Sequence, residues 1–121
     1  MSLGHSIRLI GAFGITLLLF TTSPLWAHAQ QEGTYPEHAS TIEGSPGKIA
    51  VWFDHAMRLT LFEVSGPHGR VELNSRPGRE ALTRFETAPA GPLVPGEYTV
   101  KWRGLAEDGH VMFDEFYFTV R

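Results

Sequence analysis

Short segments that alternate apolar and polar residues, closed by Gly or Pro, fill most of this 121-residue chain after residue 47. The clearest are KIAVWF (Lys48–Phe53), YTVKWRGL (Tyr98–Leu105) and VMFDEFYFTV (Val111–Val120). A period of two sends side chains to alternate faces of a strand, and no stretch has the i, i+3, i+4, i+7 spacing of an amphipathic helix. Short strands separated in this way predict an all-β sandwich or barrel. Three weaker segments add to the count: Leu59–Val64, Arg70–Leu73 and Ala81–Thr87.

The N-terminal segment has the organisation of a secretory signal peptide. Arg8 lies in a start without acidic residues, and the apolar run Ile10–Phe20 follows, with Pro24 and small residues after it. A run of this length is too short for a membrane span, which needs about 20 residues, so an uncleaved anchor is the weaker alternative. Cleavage fits after Ala27 or after Ala29, and the local A-x-A pattern slightly favours the second.

Composition excludes several classes of function. Removal of the first 27 residues leaves 94, enough for one thin hydrophobic core, and the absence of Cys excludes disulfides and thiolate metal sites. The mature part keeps nine basic and thirteen acidic side chains. This mildly acidic balance argues against nucleic acid and against attraction to anionic lipid. We therefore expect no membrane insertion of the mature chain.

The segment AEDGHVM, between the last two predicted strands, is the first candidate for chemistry. Asp-Gly is a common hairpin turn, which is the structural interpretation of Asp108 and Gly109. The functional interpretation is that Asp108 and His110, two residues apart, point to the same side in an extended segment. Gly109 between them has no Cβ and lets the backbone bend. A carboxylate and an imidazole held in this way form half of a metal site.

The other histidines are weaker candidates. His38 and His68 lie in polar loops, where a solvated role is expected. His55 and Met57 form an H-x-M pair that could hold copper(I), but a structural or solvated role is the better interpretation. His28 differs from all of these if it is the first residue of the mature chain. Its α-amine and ring Nδ1 then form a chelate, and nitrogen and oxygen donors together suit copper(II) better than zinc or calcium.

Two longer stretches resemble the CopC-type periplasmic copper-resistance proteins. YPEHASTIEGSPGKIAVWF is similar to the first loop and strand of that family, with its Pro and closing Phe. LVPGEYTVKWRGLAEDGHVMFDEFYFTV resembles its C-terminal signature: Pro-Gly-x-Tyr, a Trp-Arg pair, Asp-x-His and an aromatic strand. The resemblance covers the whole mature chain, and the C-terminal signature is its most specific part.

The resemblance implies a start, a site and a fold. In the family, the mature chain begins at a histidine that binds copper(II) through its ring and amine, eight residues before the first-loop proline. Counting back from Pro36 gives His28, and the Asp and His of Asp-x-His fall on Asp108 and His110. The chain is then a signal peptide, 1–27, and a copper-binding domain, 28–121. The implied fold is an immunoglobulin-like Greek-key β-sandwich or barrel of about seven strands.

The implied role is periplasmic copper binding and delivery, with an inner-membrane copper transporter as a partner. We expect a monomer without enzymatic activity. A methionine-rich copper(I) loop, found in some family members, is not expected here because the corresponding region, 63–87, has no Met. Two alternatives remain: a copper-dependent oxidative enzyme with an N-terminal histidine chelate, and an immunoglobulin-like interaction module without metal.

Overall fold

The computed structural model describes residues 4, 11, 14–18 and 31–121, and all regular structure among them is strand. No helix long and apolar enough to cross a membrane occurs in these residues. The seven strands are β1 Gln31–Tyr35, β2 Ser40–Ile42, β3 Ile49–Gly66, β4 Gly69–Val71, β5 Leu82–Thr87, β6 Gly96–Ala106 and β7 Val111–Val120. The predicted all-β fold of about seven strands is confirmed.

The long strand β3 organises the sheet. The strands run in the order β1-β3-β6-β7-β2, and β4 and β5 also pair with β3. All pairs are antiparallel except β2 with β7. One half of β3 pairs with β1 and β5 and the other half with β4 and β6, so this single strand joins the two parts of the curled sheet.

The sequence predicted two strands, Lys48–Phe53 and Leu59–Val64, where the structure has one of 18 residues. That division was wrong because the polar residues between them continue the strand. The register with β5 shifts between Trp52 and Met57, and the register with β6 shifts between Leu59 and Leu61. Such irregularities bend a strand and increase its twist without ending it.

Two strands had no sequence signal. β1 and β2 lie in the polar stretch before residue 48, where alternation indicated no strand and the segment around His38 was expected to be a loop, and they form because partners are available. β1 pairs along the first half of β3, from Gln31 opposite Phe53 to Tyr35 opposite Ala50. β2 adds to the end of β7. Backbone pairing with an existing strand overrides the weak β propensity of these segments.

The core confirms the alternation read from the sequence. The inward residues of β6 and β7 are buried, and a stacked pair, Tyr98 and Phe118, has ring centroids 5.5 Å apart. Burial of each large apolar side chain contributes about 1.5–3 kcal/mol, and this core forms without disulfides. The buried apolar residues are Ile49, Ala50, Val51, Phe53, Met57, Leu59, Phe62, Val64, Phe85, Leu93, Tyr98, Val100, Trp102, Ala106, Phe116, Phe118 and Val120.

Candidate metal centre

The hairpin that joins β6 to β7 presents Asp108 and His110 at one end of the sheet. The last strand pair is Leu105 with Val111. Beyond it, the Ala106 N–H donates to the His110 carbonyl at 2.9 Å, and the Gly109 N–H donates to the Ala106 carbonyl at 2.9 Å. Gly109 has φ of 87°, a conformation that a residue with a Cβ rarely adopts. The hairpin is therefore tied to the sheet by its own backbone.

Asp108 and His110 contact each other directly. The His110 ring Nδ1 lies 2.8 Å from Asp108 Oδ2, and the His110 backbone N–H donates to Asp108 Oδ1 at 3.0 Å. A carboxylate at Nδ1 favours the tautomer with its proton there and the lone pair on Nε2, the arrangement that second-shell carboxylates give to metal-binding histidines. The two side chains meet through a tight turn, not through the extended segment that the sequence suggested.

The pair is accessible from solvent. The side chains of His110 and Asp108 are 59% and 40% exposed. An exposed contact of this kind contributes little to stability even when both groups are charged, about 0–1 kcal/mol. Asp108 has a structural role as well, since it closes the turn by accepting the His110 N–H, and the accessible carboxylate and imidazole are in addition suited to bind an ion.

A second carboxylate–imidazole pair lies on β3 near the same end. Met57 is opposite Ala106, at the base of the hairpin, and Asp54 and His55 precede it along β3. The His55 ring Nδ1 is 3.3 Å from Asp54 Oδ1, and the two side chains are 60% and 33% exposed. Asp54, Asp108 and His110 each make further interactions in the molecule. This end of the sheet thus concentrates polar side chains.

The first described strand begins at this end and is fixed there. Gln31 is opposite Phe53, one residue before Asp54. Its Oε1 accepts a hydrogen bond of 2.8 Å from the indole N–H of Trp102, which is 3% exposed. Trp102 also packs edge-to-face on Phe53, with centroids 4.9 Å apart. Because Trp102 belongs to β6, this contact joins the start of β1 to the strand that leads into the hairpin.

His28 lies outside the described residues, three positions before Gln31. Within the described part of the chain, no group of three or more His, Cys, Asp or Glu side chains is arranged to hold a metal ion. Asp108 and His110 therefore supply two donors, and a complete site needs donors from elsewhere. The roles of His28, Asp108 and His110 as metal ligands stay a prediction.

The other histidines have the environments that the sequence indicated, with one addition. His55 and His68 are exposed, whereas Met57 is fully buried in the core, so the H-x-M pair does not present both donors to solvent. His38 is exposed, but its ring packs against Tyr117 at 4.5 Å and its Nδ1 accepts the Tyr117 N–H at 3.3 Å. This contact accompanies the pairing of β2 with β7.

Sequence reasoning missed Gln31 and Asp54. Both lie in segments that were judged only by polarity, and no local pattern marks either residue. Gln31 acts through a partner 71 residues away, and Asp54 interrupts an otherwise apolar run after Phe53. A polar residue directly after a buried strand residue is the one weak signal that could have pointed to Asp54.

Comparisons with known proteins agree on one family. A family model described as the CopC domain matches residues 31–121. The chain is 25% identical over 114 residues to Protein YobA of Escherichia coli K12 and of Shigella flexneri, covering 91% of this chain and 92% of the relative. It is similar to the crystal structure of PcoC, a methionine-rich copper resistance protein from Escherichia coli, with a TM-score of 0.64, 26% identity, and coverage of 78% of this chain and 100% of that one. CopC from Methylosinus trichosporium OB3b has the same fold, with a TM-score of 0.59, 23% identity, and coverage of 77% and 93%.

Proposed function

Because this chain belongs to the CopC domain family, we propose that it is a periplasmic copper(II)-binding protein that carries or buffers the ion and catalyses no reaction. A similar solved structure is that of a copper resistance protein, which supports a role in copper resistance and homeostasis. In this proposal the signal peptide, 1–27, is removed after Ala27 and the domain 28–121 acts as a monomer. An inner-membrane copper transporter is the partner that would exchange the ion.

The ligand set combines three residues from two ends of the sequence. His28 supplies its α-amine and its ring, and Asp108 and His110 supply a carboxylate oxygen and an imidazole nitrogen. Three nitrogens and one oxygen suit the tetragonal geometry of copper(II), which also heads the divalent affinity series. A carboxylate has about four lone-pair sites, so Asp108 can contact His110 and also donate to an ion.

The observation that carries the proposal is the convergence of two chain segments at one end of the sheet. Asp108 and His110 contact each other there, and β1 begins at the same end. Three residues of extended chain reach about 10 Å, so His28 is within a short distance of Gln31. The hydrogen bond from Trp102 holds that starting point on β6, the strand that precedes the hairpin.

Copper(II) affinity should fall as the pH falls. Donors must lose their protons before they bind, and a free α-amine has an ordinary pKa of about 7.7–8.0. A protein that binds through this amine therefore releases protons on binding at neutral pH. Calorimetry in buffers of different ionisation enthalpy measures that release, and a site without the amine would release fewer protons.

The decisive experiment changes the position of His28 and keeps every side chain. One extra Gly before His28 turns its amine into an amide, which is a poor ligand. We expect copper(II) affinity to fall by about 100-fold or more, by comparison with the 10–100-fold cost of disturbing a second shell. The matched control, Ala29→Gly, adds flexibility at the same place and keeps the amine. Equal affinity in the extended and native proteins would remove the amine from the site.

Spectroscopy tests the metal independently of the chain start. Electron paramagnetic resonance of the one-to-one copper(II) complex should give a type-2 signal with nitrogen couplings, because nitrogen donors dominate the proposed set. Zinc accepts the same donors but prefers a tetrahedron, so copper(II) should win in direct competition. A preference for zinc would contradict the proposal.

A further inference from the structure

The outer face of the sheet carries an apolar and basic surface directly beside the hairpin of Asp108 and His110. Neighbours in register project to the same side of a sheet, and two rows across β3, β6 and β7 define this surface. One row is Leu61, Arg103 and Phe113, and the other is Arg58, Leu105 and Val111. We call these six residues the Phe113 patch. Its second row is the last one before the hairpin.

Apolar exposure in the Phe113 patch is unusually high for a strand surface. Phe113 is 77% exposed, Val111 46% and Leu61 36%. Phe116 and Phe118, on the other face of β7, are fully buried and fill the core. Phe113 points away from them, so packing of the core does not explain why this position holds an aromatic residue. Clustered exposed apolar residues with a polar rim are typical of protein contact surfaces.

The two arginines of the Phe113 patch have no ion-pair partner among the described residues. Three basic side chains elsewhere are paired, among them Arg70 with Glu63 at 2.6 Å and Arg84 with Glu86 at 3.0 Å, whereas Arg76 and Arg79 likewise have no ion pair among the described residues. In the adjacent row, Lys101 lies between Glu63 and Glu115, so the nearby carboxylates flank the lysine instead of the arginines. The patch thus carries two positive charges in a chain with a net charge of −3.

We propose that the Phe113 patch binds a partner protein through a surface that presents carboxylates beside an apolar side chain. The carboxylates would pair with Arg58 and Arg103, and the apolar group would cover Phe113. Charge complementarity of this kind raises association rates and fixes orientation. Glu115 lies in the next row, and its negative charge disfavours a partner's carboxylates there, so they are directed to the arginines of the patch.

A second copy of the chain fits this surface poorly. A two-fold contact places the same patch on itself, which brings four arginines into one small interface with carboxylates only at its margin. An anionic membrane also fits poorly, since lipid recognition of this type uses clusters of four to eight basic residues. Strand addition along β7 is hindered at two positions, because the Asp114 carboxylate accepts the Glu115 N–H at 2.8 Å and the His38 ring accepts the Tyr117 N–H at 3.3 Å.

The size of the Phe113 patch predicts a transient contact. Six residues are well below the about 20–30 residues per side of a stable interface, so weak binding is expected. The location adds a function that depends on the proposed copper role. A partner on this patch lies next to Asp108 and His110, where a carried ion could be exchanged within the contact. The docking surface itself does not depend on metal binding and is testable on the metal-free protein.

The test uses synthetic peptides and amide chemical shifts of the metal-free secreted domain. The probe is a 12-residue peptide alternating Leu and Asp, and its reference alternates Leu and Lys. We expect shifts confined to the six patch residues and their neighbours, and about tenfold tighter binding of the acidic peptide, by the usual penalty for like charges at an interface. Equal binding of both peptides, or shifts spread over other faces, would overturn the proposal.

Matched variants assign the contact to named residues. The pair Arg58→Gln and Arg103→Gln removes two positive charges from the patch, and Arg84→Gln with Arg121→Gln removes two elsewhere. We expect the first pair to weaken the acidic peptide about tenfold and the second to leave it within about twofold, since screened distant charges contribute little. Phe113→Ser should weaken it as well. Thermal melts show whether each variant is folded. The shift map of the native protein with peptide tests the proposal even if a variant fails to fold.

Further outcomes separate this proposal from its rivals and from the copper role. If the amide shifts of the patch change with protein concentration in the absence of peptide, the patch binds a second copy of the chain. If the protein binds phosphatidylserine vesicles through Phe113 and does not bind the peptide, the patch binds a membrane. Either result overturns the proposal. Copper(II) affinity is measured on the same variants and should not change, because none of them removes a proposed donor. Peptide binding by a protein that fails to bind copper(II) would support the docking surface and contradict the copper role alone.

Discussion

Replacement of Gln31 by Met should loosen the start of the domain and lower its stability. Met is similar in size to Gln but offers the Trp102 indole N–H only a weak acceptor. The indole is 3% exposed, so without the 2.8 Å hydrogen bond it stays buried and unsatisfied. A buried donor without its partner costs about 1–3 kcal/mol. For a domain of this size each kcal/mol lowers the melting temperature by about 4–8 °C.

Urea unfolding followed by tryptophan fluorescence measures the effect on the metal-free domain. Two variants serve as controls. Gln31→Glu keeps an acceptor and should retain most of the stability, whereas Glu32→Ala, at the next and exposed position of β1, should stay within about 0.5 kcal/mol. A midpoint for Gln31→Met equal to that of the native domain would show that this hydrogen bond does not hold β1 on β6.

The same variant connects stability to the proposed function. If Gln31 holds the segment that carries His28, Gln31→Met should also weaken copper(II) by about 10-fold or more, as second-shell changes do. Gln31→Glu should bind close to the native value. A large loss of stability with unchanged copper(II) affinity would separate the anchoring of β1 from the metal site.

Three further predictions concern the core and its surroundings. His55→Ala should leave the copper(II) affinity, measured by calorimetry, within about tenfold of the native value, and a larger fall in affinity would make His55 a ligand. Met57→Ala should instead lower the free energy of unfolding by about 2–5 kcal/mol, because Met57 is fully buried. A Cβ at Gly104 would lie 2.6 Å from Met57 Sδ, so Gly104→Ala should destabilise by about 1–3 kcal/mol, and Gly78→Ala, with nothing within 4 Å, should not; equal unfolding midpoints would contradict this. Burial raises the pKa of the Tyr98 hydroxyl above 10.0, so the neutral Tyr98 stabilises the fold fully below that pH, and this stabilisation is lost as the pH rises through the raised pKa of the folded protein. Tyr98→Phe should therefore flatten the fall in the free energy of unfolding at alkaline pH. An unchanged fall would assign it to other groups.

The sequence by itself determined the class of fold and half of the candidate site. Alternation is a local property, because a strand's backbone sends successive side chains to opposite faces whatever its partner. The inward residues of β6 and β7 could therefore be recognised, including Phe116 and Phe118, which are fully buried. Asp108 and His110 are two positions apart in an Asp-Gly turn, and their 2.8 Å contact is likewise set by the local chain.

Only the tertiary structure decided what lies around that half-site. The bond between Gln31 and Trp102 joins residues 71 positions apart, and its existence depends on the register of β1 on β3, which no local pattern encodes. Asp54 and His55 come to the same end because β3 bends and continues, where the sequence indicated two strands. Alternation places Phe113 opposite the buried face of β7, but its 77% exposure follows from the absence, among the described residues, of a layer packed on that face. Contacts between distant segments are set by how the whole sheet closes, and a linear pattern carries no information about that closure.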